Sequence, residues 1–196
     1  MSPRSSDALA WIDHLVGLVQ CTDGQGGALP VSAAVDGAVS LLLETRASRS
    51  KAIVIGNGGS AAIASHMQTD LCGSLGIRGL VLSEPTLLTA LANDHGYEYA
   101  YQRLMELWAD PRDLLVAISS SGRSPNIINA CRSARGSQMR IITFSGFSPD
   151  NPLRKLGDIN IHVASSFYGP VETAHGTLVH HVTDTLLARL ASEDRG

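Results

Sequence analysis

At 196 residues and 20.7 kDa the chain is long enough to bury a core without disulfide or metal staples. Apolar residues make up 44% and charged residues 17%, which excludes a disordered polyampholyte. A net charge of −3 and a pI near 6.1 leave no electrostatic footprint for nucleic acid, and no apolar run reaches the roughly 18–20 residues that cross a bilayer. The three cysteines, Cys21, Cys72 and Cys131, are scattered with no CxxC pair. That argues against a disulfide scaffold or zinc finger and for a reducing, cytoplasmic setting.

The N-terminal stretch MSPRSSDALAWIDHLV reads as a capped helix, not a signal peptide: Ser6 or Asp7 can cap it, and Leu9, Ile12, Leu15, Val16 and Val19 follow helical spacing. Cys21–Pro30, rich in glycine, reads as a loop. A second helix carries Val31, Val35, Val39, Leu42 and Leu43 on one stripe, which its own sheet or a partner chain must cover. From Lys51 the rhythm changes. Strands are expected at Ala52–Gly56, Gly79–Ser83, Leu114–Ser119, Arg140–Phe144 and Ile159–Val163. Helical segments are expected at Ser60–Cys72, Pro85–Leu107, Pro125–Arg135 and Asn151–Leu156, with a last helix from about Val171 to Leu190. Apolar strands alternating with helices imply a five-stranded, flavodoxin-like parallel α/β sheet covered on both faces, spanning 1–196 as one domain. Residues 1–50 form its leading helices and 51–196 its core. Ligands of such sheets bind at the carboxyl ends of the strands, near the switch point.

The turn IVIGNGGSAA, residues 53–62, joins an apolar strand to a helix N-terminus that can receive an anion. Three readings are open: a tight turn without a ligand, a sugar-phosphate site, or a dinucleotide site. Gly56, Gly58 and Ala61 fit G-x-G-x-x-[GA], and Glu84 lies about where a ribose-binding acid belongs. No G-K-[ST] follows, which excludes a P-loop. A second anion-suited turn, SSSGRSPN, spans Ser119–Asn126; Ser119, Ser120, Ser121 and Ser124 surround a helix start with Ser124 at the cap and Pro125 at the first position. It also reads as a plain serine-rich turn, and Arg123 as an assisting or merely solvated cation.

His66 and Asp70 stand at i and i+4, a spacing that serves either a divalent metal or a surface hydrogen bond. The last helix carries Glu172, His175, His180 and His181, of which His175 and His181 can equally be core or surface residues. Glu172 and His180 lie roughly 12 Å apart along a continuous helix, too far to share one metal within one chain. Either the helix starts after Glu172 or neighbouring subunits each contribute a ligand.

Taken together, these segments resemble the phosphoheptose isomerase branch of the sugar isomerase (SIS) family. The branch patterns are intact at Gly56–Ala62 (GNGGSAA), at Asn93, Asp94, His95 and Gly96, and at Ile118–Ser124 (ISSSGRS). The resemblance implies a homotetramer with interface active sites partly built by the leading helices. It implies isomerisation of sedoheptulose 7-phosphate to D-glycero-D-manno-heptose 7-phosphate or a close epimer. It also implies a zinc ion at the positions of His66, Asp70, Glu172 and His180. Asp70 replaces the family's Glu, Glu172 its Gln, Thr173 a Glu and Pro170 an Arg; a carboxylate displaced by about 1 Å can lower a rate about 10²-fold.

Aldose–ketose isomerisation moves a proton between neighbouring carbons through an enediolate. The resemblance assigns Asp70 or Glu172 as base and His180 as acid/base partner, and places the four metal-site residues so as to polarise the substrate oxygens. Ser60, Ser119, Ser120, Ser121 and Ser124 are expected to anchor the phosphate, with Asn57, Gly58 and Asp94 at the sugar. Two alternatives are an SIS isomerase of another ketose phosphate and a non-catalytic relative: a sugar-phosphate sensor or a DnaA-initiator-associating protein.

Overall fold

A computed structural model describes residues 8–193. The proposed caps Ser6 and Asp7 lie outside the described residues. The elements in chain order are α1 (Ala8–Val16), β1 (Val19–Asp23), β2 (Ala28–Leu29), α2 (Val31–Ala47), β3 (Lys51–Gly56), α3 (Gly59–Gly73), β4 (Arg78–Val81), α4 (Pro85–His95), α5 (Tyr97–Trp108), β5 (Leu114–Ser119), α6 (Pro125–Gly136), β6 (Arg140–Gly146), a 3₁₀ turn (Pro152–Lys155), β7 (Ile159–Val163) and α7 (Tyr168–Glu193).

The sheet has seven strands in the order β2-β1-β7-β6-β5-β3-β4. Its five parallel strands, β4-β3-β5-β6-β7, are those expected from the sequence and take the flavodoxin-like order. The added pair corrects the loop reading of Cys21–Pro30: β1 and β2 form a hairpin, with β1 antiparallel to β7 and Val19 opposite Val163. Val19 therefore belongs to a strand, not to the first helix. The hairpin turn is closed by Asp23, whose carboxylate accepts from the N–H groups of Gln25 and Gly27 at 2.9 and 2.8 Å.

Period-two alternation along the strands divides the core. Ala52, Val54, Leu114, Val116, Ile142 and Phe144 face a layer formed by α2, α3 and α7. Ile53, Ile55, Leu115, Ala117 and Ile141 face α5 and α6, with Leu88 and Leu91 of α4 at the margin. Ala34, Val35, Ala38, Val39, Leu41 and Leu42 are all buried there, so α2 covers its own sheet. Each fully buried Leu or Ile stabilises this arrangement by about 1.5–3 kcal/mol.

The expected helix Pro85–Leu107 is two helices, broken at Gly96, whose φ of +86° no side chain adopts readily. Asn151–Leu156 is a single 3₁₀ turn, capped by the Asn151 carboxamide, which accepts from the Arg154 N–H at 3.0 Å. The last helix begins at Tyr168, one turn earlier than the sequence reading. No helix among the described residues is long and apolar enough to cross a membrane.

Candidate active site

The strand order reverses between β3 and β5, and the two loops leaving these strands meet there. They enclose a cavity of about 330 Å³ lined by Asn57, Gly58, Gly59, Ser60, Ser119, Ser120, Ser121, Ser124, Tyr168 and Glu172. The structure thus brings together the glycine turn, the serine loop and the start of α7. A wider cleft of about 930 Å³ opens at the opposite, amino edge of the sheet. Its Arg135 and Arg140 are both paired with Asp158 at 3.1 Å, so it reads as a structural ion cluster.

At both helix starts beside the cavity the residue in the cap position makes no side-chain hydrogen bond to the helix. Gly58 precedes α3 at φ +56°, and no side chain caps that helix. Ser124 occupies the cap position of α6 as expected, yet its hydroxyl makes no cap hydrogen bond and lies 3.1 Å from the Ser119 hydroxyl. In contrast, Glu84 caps α4, accepting from the N–H groups of Thr86 and Leu87 at 3.1 and 2.6 Å, and those bonds hold its carboxyl below the usual range. That use removes Glu84 from the ribose-binding role of a dinucleotide site.

The cavity floor is tightly knitted. Asn57 and Asn126 exchange amide hydrogen bonds at 3.0 and 2.9 Å, and the Tyr97 hydroxyl donates to Asn57 at 2.8 Å. The Tyr101 hydroxyl donates to the Gly56 carbonyl at 2.8 Å, and burial raises its pKa well above that of free tyrosine. Gly122, at φ +62°, lies so close to the buried Asn151 carboxamide that a Cβ there would overlap it. The Leu153 N–H donates to the Gly122 carbonyl at 3.1 Å. Ser120 is buried, lines the cavity, and has no hydrogen-bond partner for its hydroxyl. A Cβ on Gly59 would overlap the Glu172 carboxylate, which stands over the start of α3 and would have to swing aside.

A second group lies further along the same pair of helices. Ligand atoms of His66, Asp70 and His180 fall within 4.8 Å of one another. His66 Nε2 and His180 Nδ1 each lie 3.8 Å from an Asp70 oxygen, and the two imidazole centroids are 4.6 Å apart. The Thr183 hydroxyl donates to Asp70 at 3.1 Å. Because α7 is unbroken from Tyr168 to Glu193, Glu172 does not join this group within the chain.

The remaining candidates are placed as follows. Asp94 is exposed in the last turn of α4, where it accepts from the Asn93 side chain at 2.9 Å; it does not line the cavity. Arg123 is exposed beside Asp150 at 3.7 Å. His175 is a core residue: its Nε2–H donates to the Ser145 carbonyl at 2.9 Å, and burial lowers its pKa to about 4. Sequence reasoning missed Gly59, Tyr97, Asn126 and Tyr168. Of these, Tyr168 carried a usable signal, its i, i+4 spacing from Glu172.

The profile of the SIS domain matches residues 31–146. The chain belongs to the SIS domain family. Within it, the chain falls in the phosphoheptose isomerase branch: it is 34% identical to the phosphoheptose isomerase of Bordetella avium, over 80% of this chain and 84% of that one. A phosphoheptose isomerase from Helicobacter pylori is 32% identical over the same shares. Among solved structures, the phosphoheptose isomerase of Neisseria gonorrhoeae superposes with a TM-score of 0.73 at 26% identity, covering 79% of this chain and 86% of that one.

Proposed function

We propose that this chain is a phosphoheptose isomerase-type aldose–ketose isomerase that converts sedoheptulose 7-phosphate to D-glycero-D-manno-heptose 7-phosphate or a close epimer. The observation that carries the reading is a serine-lined cavity at two helix starts whose cap residues make no side-chain hydrogen bond, bordered by Gly59 of α3 and Glu172 of α7, the two helices that gather His66, Asp70 and His180. Hydroxyls and helix N-termini favour a phosphate monoester. Ser60, Ser119, Ser120, Ser121 and Ser124 hold it, and Asn57 and Gly58 meet the first sugar atoms. Asp94, exposed in the last turn of α4 and outside the cavity lining, is not part of this set.

Two imidazoles and one carboxylate suit zinc or a similar divalent ion. When bound there, such an ion supplies Lewis-acid stabilisation of a developing oxyanion. His66, Asp70 and His180 would hold it, and Glu172 would take the fourth position. A glutamate roughly 12 Å back along one continuous helix cannot do so within its own chain. We therefore propose that the site is completed between copies in a homotetramer, with residues 1–50 in the contacts. The exposed Leu107 and Trp108 of α5, and an α4 with no buried residue, offer apolar surface for such contacts. Glu172 or Asp70 takes the proton from the carbon beside the carbonyl and returns it to the neighbouring carbon. His180 moves the proton between the two oxygens. Three free cysteines fit a cytoplasmic protein.

The test is a panel of ketose phosphates of different chain length, incubated with protein and zinc and followed by NMR. Conversion of sedoheptulose 7-phosphate to an aldose is expected. Turnover of a different ketose phosphate alone would reassign the substrate, and no turnover by folded, metal-loaded protein would overturn the isomerase reading.

A further inference from the structure

We infer that Tyr168, steadied by Phe147, is the specificity-determining wall of the cavity, the surface that reads the carbon chain of a phosphorylated ligand. The inference deepens the isomerase reading and rests on it for the ligand class. Among the residues lining the cavity, Tyr168 alone presents a large carbon face; the others are serines, glycines, Asn57 and Glu172. A polyol phosphate carries an anion and hydroxyls, which those polar groups suit, and also a C–H face, which an aromatic ring suits.

The ring is not there to fill the core. Tyr168 is 61% exposed, and it stands one helical turn before Glu172 on the face of α7 that borders the cavity. Phe167 beside it is also exposed but does not line the cavity.

Tyr168 is nevertheless held in place. Its ring meets Phe147 edge-on, with centroids 5.0 Å apart and planes at 69°. Phe147 adopts φ +58°, a left-handed backbone that is an outlier for a bulky side chain. The surroundings enforce it: the Phe147 N–H donates to the Ser165 carbonyl at 2.9 Å, and the side chain packs against Val163, Val171 and Ala174. Strain of this kind persists where neighbouring structure over-determines it, and it concentrates at ligand clamps. Here it ties the loop after β6 to the start of α7 at the point where Tyr168 enters the cavity.

The experiment compares inorganic phosphate with sedoheptulose 7-phosphate by calorimetry on the assembled, metal-loaded protein, together with KM and kcat. Tyr168→Ala is expected to weaken the sugar phosphate about 5- to 10-fold and to leave inorganic phosphate within about 2-fold. It should raise KM more than it lowers kcat, and Tyr168→Phe should retain most of the affinity. Phe147→Leu, which keeps an apolar contact with Val171, should weaken the sugar phosphate about 2- to 5-fold and add little on top of Tyr168→Ala, because it acts through that ring. An unchanged ratio of the two affinities in Tyr168→Ala, or equal weakening of both, would overturn the proposal. If the unmodified protein binds the sugar phosphate but turns nothing over, the isomerase reading falls while the affinity ratio still decides the role of Tyr168.

Discussion

Asn57 and Asn126 exchange two amide hydrogen bonds across the floor of the serine cavity, whereas His66 and His180 each stand 3.8 Å from Asp70, beyond hydrogen-bond reach. The cavity is braced by groups from β3, α5, α6 and the 3₁₀ turn, through Tyr101, Asn126 and Leu153. The histidine cluster is half-exposed, and one hydroxyl, that of Thr183, holds its carboxylate. An anion site needs fixed donors before its ligand arrives, because loosely held dipoles must reorganise at binding. A metal site can tolerate loose ligands, since the ion itself draws them in. The proposed phosphate seat is therefore braced in advance, and the proposed chemical centre is not.

The largest expected effect separates these two regions. His180→Ala removes one imidazole from the cluster and touches nothing in the cavity. Turnover should fall by about 10²–10⁴-fold, the range for loss of a positioned acid or base. Binding of inorganic phosphate, followed by calorimetry, should be unchanged. An active His180→Ala protein would remove the cluster from the chemistry, and loss of phosphate binding would show that the two regions are one.

Acid should break the molecule at a different pair of histidines. His162 and His175 are buried around Ser145, and burial pushes both down to about 4 from the ordinary 6.5. Below the ordinary value, the unfolded chain takes up protons that the folded chain refuses. Stability present near neutrality is therefore lost as pH falls from about 6.5 to about 4, at about 1.4 kcal/mol per pH unit per histidine. It should level off once the folded state also binds the protons. Urea midpoints across this range should fall steeply in the unmodified protein and about half as steeply in His175→Gln, with one of the two histidines removed. A flat profile would mean that neither histidine is neutral in the fold for the reason given.

The parallel order and the two strand-to-helix turns were legible because each rests on local chemistry: apolar runs of strand length, a glycine at positive φ, a proline after a cap. What was not legible depended on partners distant in sequence. The β1–β2 hairpin looked like a glycine loop, because its stability comes from the pairing of Val19–Asp23 with β7, far along the chain. The role of Asn126 requires Asn57 beside it, which no spacing reveals. Tyr168 lay outside the expected last helix, which was read from about Val171, although proline is tolerated in the first turn of a helix that has already begun.

The smallest expected effect tests whether the cavity is built for a ligand or for the fold. Ser120 is buried with an unpartnered hydroxyl, and a buried polar group without a partner destabilises a protein. If that hydroxyl is kept for a phosphate oxygen, Ser120→Ala should leave stability equal or raise it by about 1 kcal/mol, while weakening phosphate about 5- to 10-fold. Ser119→Ala should behave differently, because its hydroxyl pairs with that of Ser124 at 3.1 Å. That variant should lose about 1 kcal/mol of stability as well as affinity. Chemical denaturation should therefore separate the two variants, with only Ser119→Ala losing stability, while phosphate calorimetry shows both weakened. The reverse pattern, a destabilised Ser120→Ala with unaltered affinity, would make that hydroxyl a part of the core and leave the other serines to seat the anion.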